Sequence, residues 1–184
     1  KEEKKQLAAM EAVYVQDLLV KDREQVTMAY LYLNADVPYK AAKVLDRGIG
    51  NESVEATSKN LEILGNSWRQ AQEVKKSIPV MEQAAAKSDK GELYCRLGGV
   101  YLDNDQFGKA VKAMEKGLKR GGLKRPDNCQ LQLGMAAFNN KDYKKASKAF
   151  NEAAKDKRSK KYAEQWSKYM KNELDRQAKL AEGF

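Results

Sequence analysis

The feature that most constrains this chain is that it resembles itself. Take Tyr94-Cys95-Arg96-Leu97-Gly98-Gly99-Val100-Tyr101 as a reference, followed by Asp105-Gln106-Phe107-Gly108-Lys109-Ala110, Met114 and Gly117. A second copy runs through Leu133-Gly134, Lys141-Asp142-Tyr143-Lys144-Lys145-Ala146, Phe150 and Ala153. Leu97-Gly98 and Leu133-Gly134 are 36 residues apart, and Leu64-Gly65 lies 33 residues before Leu97-Gly98. That earlier copy continues through Trp68, Val74, Ser77, Met81 and Ala84, and a weaker one runs from Met28-Ala29 through Tyr32, Tyr39, Ala41, Leu45 and Gly48. A unit this short cannot bury its apolar face alone, so the copies must stack on one another.

Within each copy the periodicity is helical. Apolar residues recur three and four apart through Leu61, Leu64, Gly65 and Trp68, and again through Tyr94, Leu97, Gly98 and Tyr101. Short polar turns at Ala35-Asp36, Asn104-Asp105 and Asn140-Lys141 divide each copy into two helices, and no alternating run predicts a strand. The spacing has a steric reason. A large side chain, then Leu-Gly or Met-Ala, then an aromatic one turn later lets a second helix approach at the small residue. Ala110 and Ala146 answer from that second helix, and Met114 and Phe150 are expected to fill the space to the next repeat.

Four copies in this register resemble the tetratricopeptide repeat, whose period is about 34 residues. The resemblance implies an all-α chain, a right-handed superhelical solenoid of helix-turn-helix repeats with nine or ten helices. Residues 1–21 are expected to be an unpaired helix of a truncated repeat, with its helical part at 3–18. Residues 22–57 would be a divergent first repeat, 58–90, 91–126 and 127–160 three more, and 161–184 a capping helix. Two departures stand out. The proline that often ends such a repeat is missing, and in the last copy the usual aromatic is replaced by Ala137 followed by Phe138.

Three stretches carry a closer resemblance: Val37-Pro38-Tyr39-Lys40-Ala41-Ala42-Lys43-Val44-Leu45, Asp89-Lys90-Gly91-Glu92-Leu93-Tyr94 and Gly121-Gly122-Leu123-Lys124-Arg125-Pro126-Asp127. They resemble repeat proteins encoded beside TonB, ExbB and ExbD homologues in marine gammaproteobacteria. That resemblance implies a periplasmic accessory of TonB-dependent transport, a TonB/ExbB/ExbD-type component as partner, and a chain that is the C-terminal repeat portion of a longer protein.

Composition narrows the chemistry. The chain is 42% hydrophobic and 33% charged, and no apolar run approaches the roughly 20 residues of a membrane span. Its net charge of +9 is uneven: residues 1–104 carry 15 basic and 16 acidic side chains, residues 105–184 carry 20 and 10. A field of that sign attracts acidic proteins, anionic lipid or nucleic acid. There is no histidine, so no Ser or Cys has an imidazole partner and the commonest metal ligand is missing. With two cysteines a thiolate zinc site is not expected either, and Cys95 and Cys129 read as thiols packed as small apolar groups, a bridge being open to them in an oxidising compartment. Carboxylate pairs such as Glu2-Glu3 or Glu52 with Glu55 read as solvated surface. No enzyme, cofactor or metal is expected.

What remains is protein or peptide recognition on the first helices. One turn from the packing positions, the tetratricopeptide resemblance puts a groove at Val26, Tyr30 and Asn34; Glu62, Asn66 and Arg69; Gly99 and Asp103; and Leu131, Met135 and Asn139. The Lys and Asn clamp with which some members hold a C-terminal carboxylate is not matched, because Glu62 and Cys95 stand where a cation is needed. The mixed apolar and amide character instead suits an extended segment or a helix. Three further readings stay open: a general cell-envelope assembly or secretion scaffold, a basic nucleic-acid-binding repeat using Tyr162 or Trp166, and self-association through the N-terminal helix.

Overall fold

The computed structural model describes residues 2–19 and 21–183, without the side chains of Glu3 and Lys4. The described residues form ten α-helices and no strand: α1 (Glu2–Val15), α2 (Asp22–Asn34), α3 (Pro38–Gly50), α4 (Ser58–Gln70), α5 (Val74–Ala86), α6 (Glu92–Leu102), α7 (Phe107–Arg120), α8 (Pro126–Asn139), α9 (Tyr143–Ala153) and α10 (Lys157–Glu182). The chain divides into two compact units, residues 1–88 and 89–184. The fold is all-α and built from tetratricopeptide-type helix-turn-helix repeats, with α2–α3 and α4–α5 in the first unit and α6–α7 and α8–α9 in the second.

Helix starts follow local chemistry. Pro38 and Pro126 open α3 and α8, where the missing N–H costs nothing. Thr57, Asp142 and Asp156 cap α4, α9 and α10, accepting from the backbone N–H of Asn60, Lys145 and Arg158 at 3.1, 3.1 and 2.9 Å. The Asp156 cap starts α10 four residues before the expected position, at Lys157, and the helix runs to Glu182. The proline start likewise sets α8 at residue 126, one before the expected repeat boundary. At the other end α1 stops at Val15 rather than 18, because Asp17 turns the chain with a φ of 57°.

The turn inside every repeat has one backbone solution. Asp36, Gln72, Asp105 and Lys141 each sit two or three residues after a first helix with φ of 59°, 62°, 56° and 61°. This left-handed conformation reverses the chain within a few residues, and none of the four is a glycine.

Inside a repeat the two helices meet at the small residue. A Cβ on Gly65 would lie 2.6 Å from the Cγ of Met81, a Cβ on Gly98 would collide with Met114, and one on Gly134 with the Phe150 ring. Met114 and Phe150, expected to reach the next repeat, therefore pack first on the glycine of their own. Phe150 does both, since its ring also stacks on Trp166 of α10 with centroids 6.1 Å apart. Ala41, Ala110 and Ala146 are fully buried at the matching position of the second helix. In the second repeat that position is Ser77, whose buried hydroxyl donates to the Gly65 carbonyl at 2.8 Å.

The residue before this small one is a lysine in all four repeats: Lys40, Lys76, Lys109 and Lys145. In three of them its ammonium lies over the aromatic of the first helix, 5.5 Å from the Tyr32 ring centre, 4.5 Å from Trp68 and 5.5 Å from Tyr101. In the fourth the aromatic is Ala137, and Lys145 pairs instead with Glu115 at 2.8 Å. The substitution noted in the sequence thus redirects a cation.

Candidate functional site

The expected groove residues fall on the first helices in register. Val26, Tyr30 and Asn34 share a face of α2, Glu62, Asn66 and Arg69 one of α4, and Leu131, Met135 and Asn139 one of α8, each set recurring at three or four residues. Gly99 lies on α6, and Asp103 ends it. None of the eleven is buried. Tyr30 is 41% exposed, Asn34, Arg69, Asp103 and Asn139 are exposed, and the other six are half-buried. In the second unit two of these helices come close, since a Cβ on Gly99 would lie 3.2 Å from the Gln132 side-chain oxygen. Asn139 spends one donor on its own helix, giving a hydrogen bond to the Met135 carbonyl at 2.9 Å.

Cys95, the residue at the position that a carboxylate clamp would give to a cation, is not a free thiol. It forms a disulfide with Cys129, joining α6 to α8 with Cα atoms 5.7 Å apart. The packed-thiol reading of the sequence is corrected here. The two residues fall near the starts of successive first helices, 34 positions apart, and stacking brings those starts together. Cys95 is 8% exposed and Cys129 2%, so the bridge is nearly buried. It needs room on one side: a Cβ on Gly117 would lie 2.7 Å from the Cys95 Sγ.

Sequence reasoning also missed the carboxylate that ties α8 to α10. The Asp127 side chain, 2% exposed, accepts from Arg125 Nη2 at 2.6 Å, Arg158 Nη2 at 3.2 Å and the buried Ser159 hydroxyl at 2.7 Å. The Arg125 hydrogen bonds, assisted by Ser159 and Arg158 against the cost of burial, hold its carboxyl well below the usual range. The three partners are 2, 31 and 32 residues away, and only the first is a local signal in the sequence. This cluster is fully satisfied and reads as a clasp. In the first unit Glu11 accepts from the Tyr32 hydroxyl at 2.6 Å and Lys40 at 2.9 Å, and both bonds lower its pKa.

The aromatics weighed for base stacking separate. Trp166 is half-buried and packs on Phe138, Phe150 and Tyr169, as a helix face should. Tyr162 is 57% exposed. Of the carboxylate pairs, Glu52 and Glu55 are exposed, and the Glu3 side chain lies outside the described ones. On the N-terminal helix Leu7, Met10 and Tyr14 pack on the core of the first unit, while Val13 and Val15, and Leu18 beyond its end, remain 39%, 81% and 63% exposed.

Comparison with known proteins agrees with this geometry. A tetratricopeptide repeat family model matches residues 91–120 and 128–155. No curated protein matches the chain. Among solved structures, the C-terminal part of a TPR repeat-containing protein from Cytophaga hutchinsonii aligns with a TM-score of 0.76 and 17% identity, covering 96% of this chain and 68% of that one. A MamA structure from Desulfovibrio magneticus RS-1 aligns at 0.71 and 18%, covering 85% and 86%, and another MamA structure at 0.68 and 20%, covering 81% and 85%. Identities this low speak for the fold. The family match covers the repeats of α6–α7 and α8–α9, and the fold of the described residues is that of a helical repeat of the tetratricopeptide type.

Proposed function

We propose that this chain is a non-enzymatic scaffold of the periplasm, an accessory of a TonB-dependent transport system that holds a component of that machinery on the faces of its first helices. The observation that carries the compartment is the Cys95–Cys129 bridge. Disulfides persist in oxidising compartments such as the periplasm and are rare in the cytosol. The likeness of residues 37–45, 89–94 and 121–127 to repeat proteins encoded with TonB, ExbB and ExbD homologues supports the system. Within each unit the accessible side chains of the first helices, apolar at Val26 and Tyr30 in the first and at Leu131 and Met135 in the second, with amides at Asn34, Asn66 and Asn139, support an extended or helical partner segment.

A general envelope-assembly or secretion scaffold is the second reading, and the same bridge favours it equally. Two measurements decide. Alkylation of thiols before lysis should leave Cys95 and Cys129 of the native protein unmodified; full modification of both would end the periplasmic reading. A photo-crosslinking residue at Tyr30 or Met135 should then capture a TonB-, ExbB- or ExbD-type protein in cells. Capture of a secretion or assembly component instead would replace the transport reading with the second one.

A further inference from the structure

Among the described residues of the second unit, three large apolar side chains stay exposed: Tyr162, Tyr169 and Leu180, at 57%, 53% and 54%. All three lie on α10. They are 7 and 11 residues apart, close to two and three whole turns, so they share one face. Trp166, Glu173 and Arg176 complete that face in steps of four and three, the spacing by which one helix packs along another. The face has two halves. The first is aromatic, with Trp166 and Tyr169 resting on Phe138 of α8. The second belongs to an arm: residues 175–183 are all exposed, so no other described element covers it. Charge divides along the same line. Residues 157–168 hold five basic and one acidic side chain, residues 171–182 three of each.

We propose that α10 pairs antiparallel with α10 of a second copy of this chain, each arm lying over the aromatic half of the other. The stripe contains its own complement. Turned about a twofold axis near residue 171, it sets Tyr162 against Leu180 of the second copy, Trp166 against Arg176 and Tyr169 against Glu173, and each contact is made twice. A ring meets an aliphatic side chain, a guanidinium lies over an indole, and a phenol donates to a carboxylate. Charge sets the direction. Antiparallel pairing lays the basic half of one helix on the neutral half of the other, whereas parallel pairing would oppose the two basic halves and put Glu173 on Glu173 and Arg176 on Arg176. Glu173 already holds Arg176 of its own helix at 2.7 Å, so this ion pair enters the contact preformed. The same pair, in the middle of the stripe, is what a bilayer would reject. The pairing uses none of the eleven groove residues, so it stands or falls apart from the scaffold reading.

The test is sedimentation equilibrium of the full chain. One helix-on-helix contact is smaller than the roughly 1,200 Å² of a standard complex, so a reversible dimer dissociating on the order of 100 µM is expected. Tyr162→Glu and Leu180→Lys should each weaken dimerisation about tenfold or more, since each disturbs a contact made twice. The variant carrying both should recover most of that loss, because the new opposite charges meet only across the twofold; along one helix the two positions stand about 27 Å apart. No occupant other than a second copy produces that recovery. Both positions are exposed, and thermal melts of the three variants check that the fold is intact. The proposal falls if the chain stays monomeric at about 1 mM, if the double variant is no better than the single ones, or if a photo-crosslinker at position 162 joins two copies anywhere but near residue 180. Val15→Glu on α1 should leave the dimer unchanged; loss of the dimer there, with Leu180→Lys silent, would move self-association to the N-terminal helix and overturn the proposal. It falls too if phosphatidylserine vesicles or oligothymidine shield the tryptophan fluorescence from quenchers where concentrated chain alone does not.

Discussion

Lys141 is the residue at which local propensity and fold disagree most. It holds a φ of 61° in the last intra-repeat turn, where the first and third repeats have Asp36 and Asp105. Left-handed backbone costs a residue with a Cβ about 1–2 kcal/mol, and a glycine avoids that cost while losing more chain entropy. Lys141→Gly should therefore stabilise by about 0.5–1 kcal/mol in urea melts, and Asp36→Gly by less, because a short polar side chain tolerates this region. Asp127 makes the opposite case, a residue whose context no local reading supplies. Asp127→Ala strands the buried Ser159 hydroxyl and should cost about 1–3 kcal/mol. Its folded pKa lies below the unfolded value near 4, so its contribution is complete above about pH 5 and is lost as pH falls below about 4. Wild-type stability should drop between pH 6 and pH 3 by more than that of Asp127→Asn, which does not titrate. The sequence shows that Asp127 is charged and near Arg125. It does not show that Arg158 and Ser159, more than 30 residues on, complete the clasp.

The repeats were legible at the scale of elements because their constraint is periodic. Leu-Gly followed by an aromatic marks where two helices touch, and Gly98 and Gly134 do face Met114 and Phe150. Leucine at either glycine should overpack that contact and cost about 1–3 kcal/mol, read as a lower midpoint in chemical denaturation. Melts unchanged from the parent would show that the helices part there without penalty. The ends of α1 and α10 were less legible, since they depend on a single turn residue and a single cap, Asp17 and Asp156. The cation's partner was hidden for a different reason. That a lysine precedes each small residue is visible in sequence, but which ring or carboxylate it meets depends on how α1 and α7 pack beside the next repeat. That Val26, Tyr30 and Asn34, or Leu131, Met135 and Asn139, share one face of a helix follows from helical register alone, so it was legible.

At the scale of the whole molecule, charge and covalent connection both single out the second unit. All of the net charge lies there, so an acidic partner should bind faster at low salt and lose that advantage as the Debye length shortens to about 10 Å at 0.1 M. In a titration, Lys157→Glu with Lys160→Glu should slow association at low salt only, while Tyr30→Ala with Met135→Ala should shorten the lifetime of the complex at every salt concentration. The bridge belongs to the same unit. Closing a loop of this length removes denatured-state entropy worth about 4 kcal/mol, so reductant should speed amide exchange in α6–α9 more than in α2–α5. The cysteines are visible in sequence, but their pairing became legible only once the stacking of α6 on α8 was known. That bridge also fixes how the chain answers to force. A molecule stretched by its ends past unfolding pays out contour length, and the segment between Cys95 and Cys129, 34 positions long, stays looped behind the sulfurs. At roughly 3.3–3.6 Å per residue this withholds about 110 Å of extension from the oxidised chain, so a tether made of these repeats has a shorter reach in its oxidised form than after reduction.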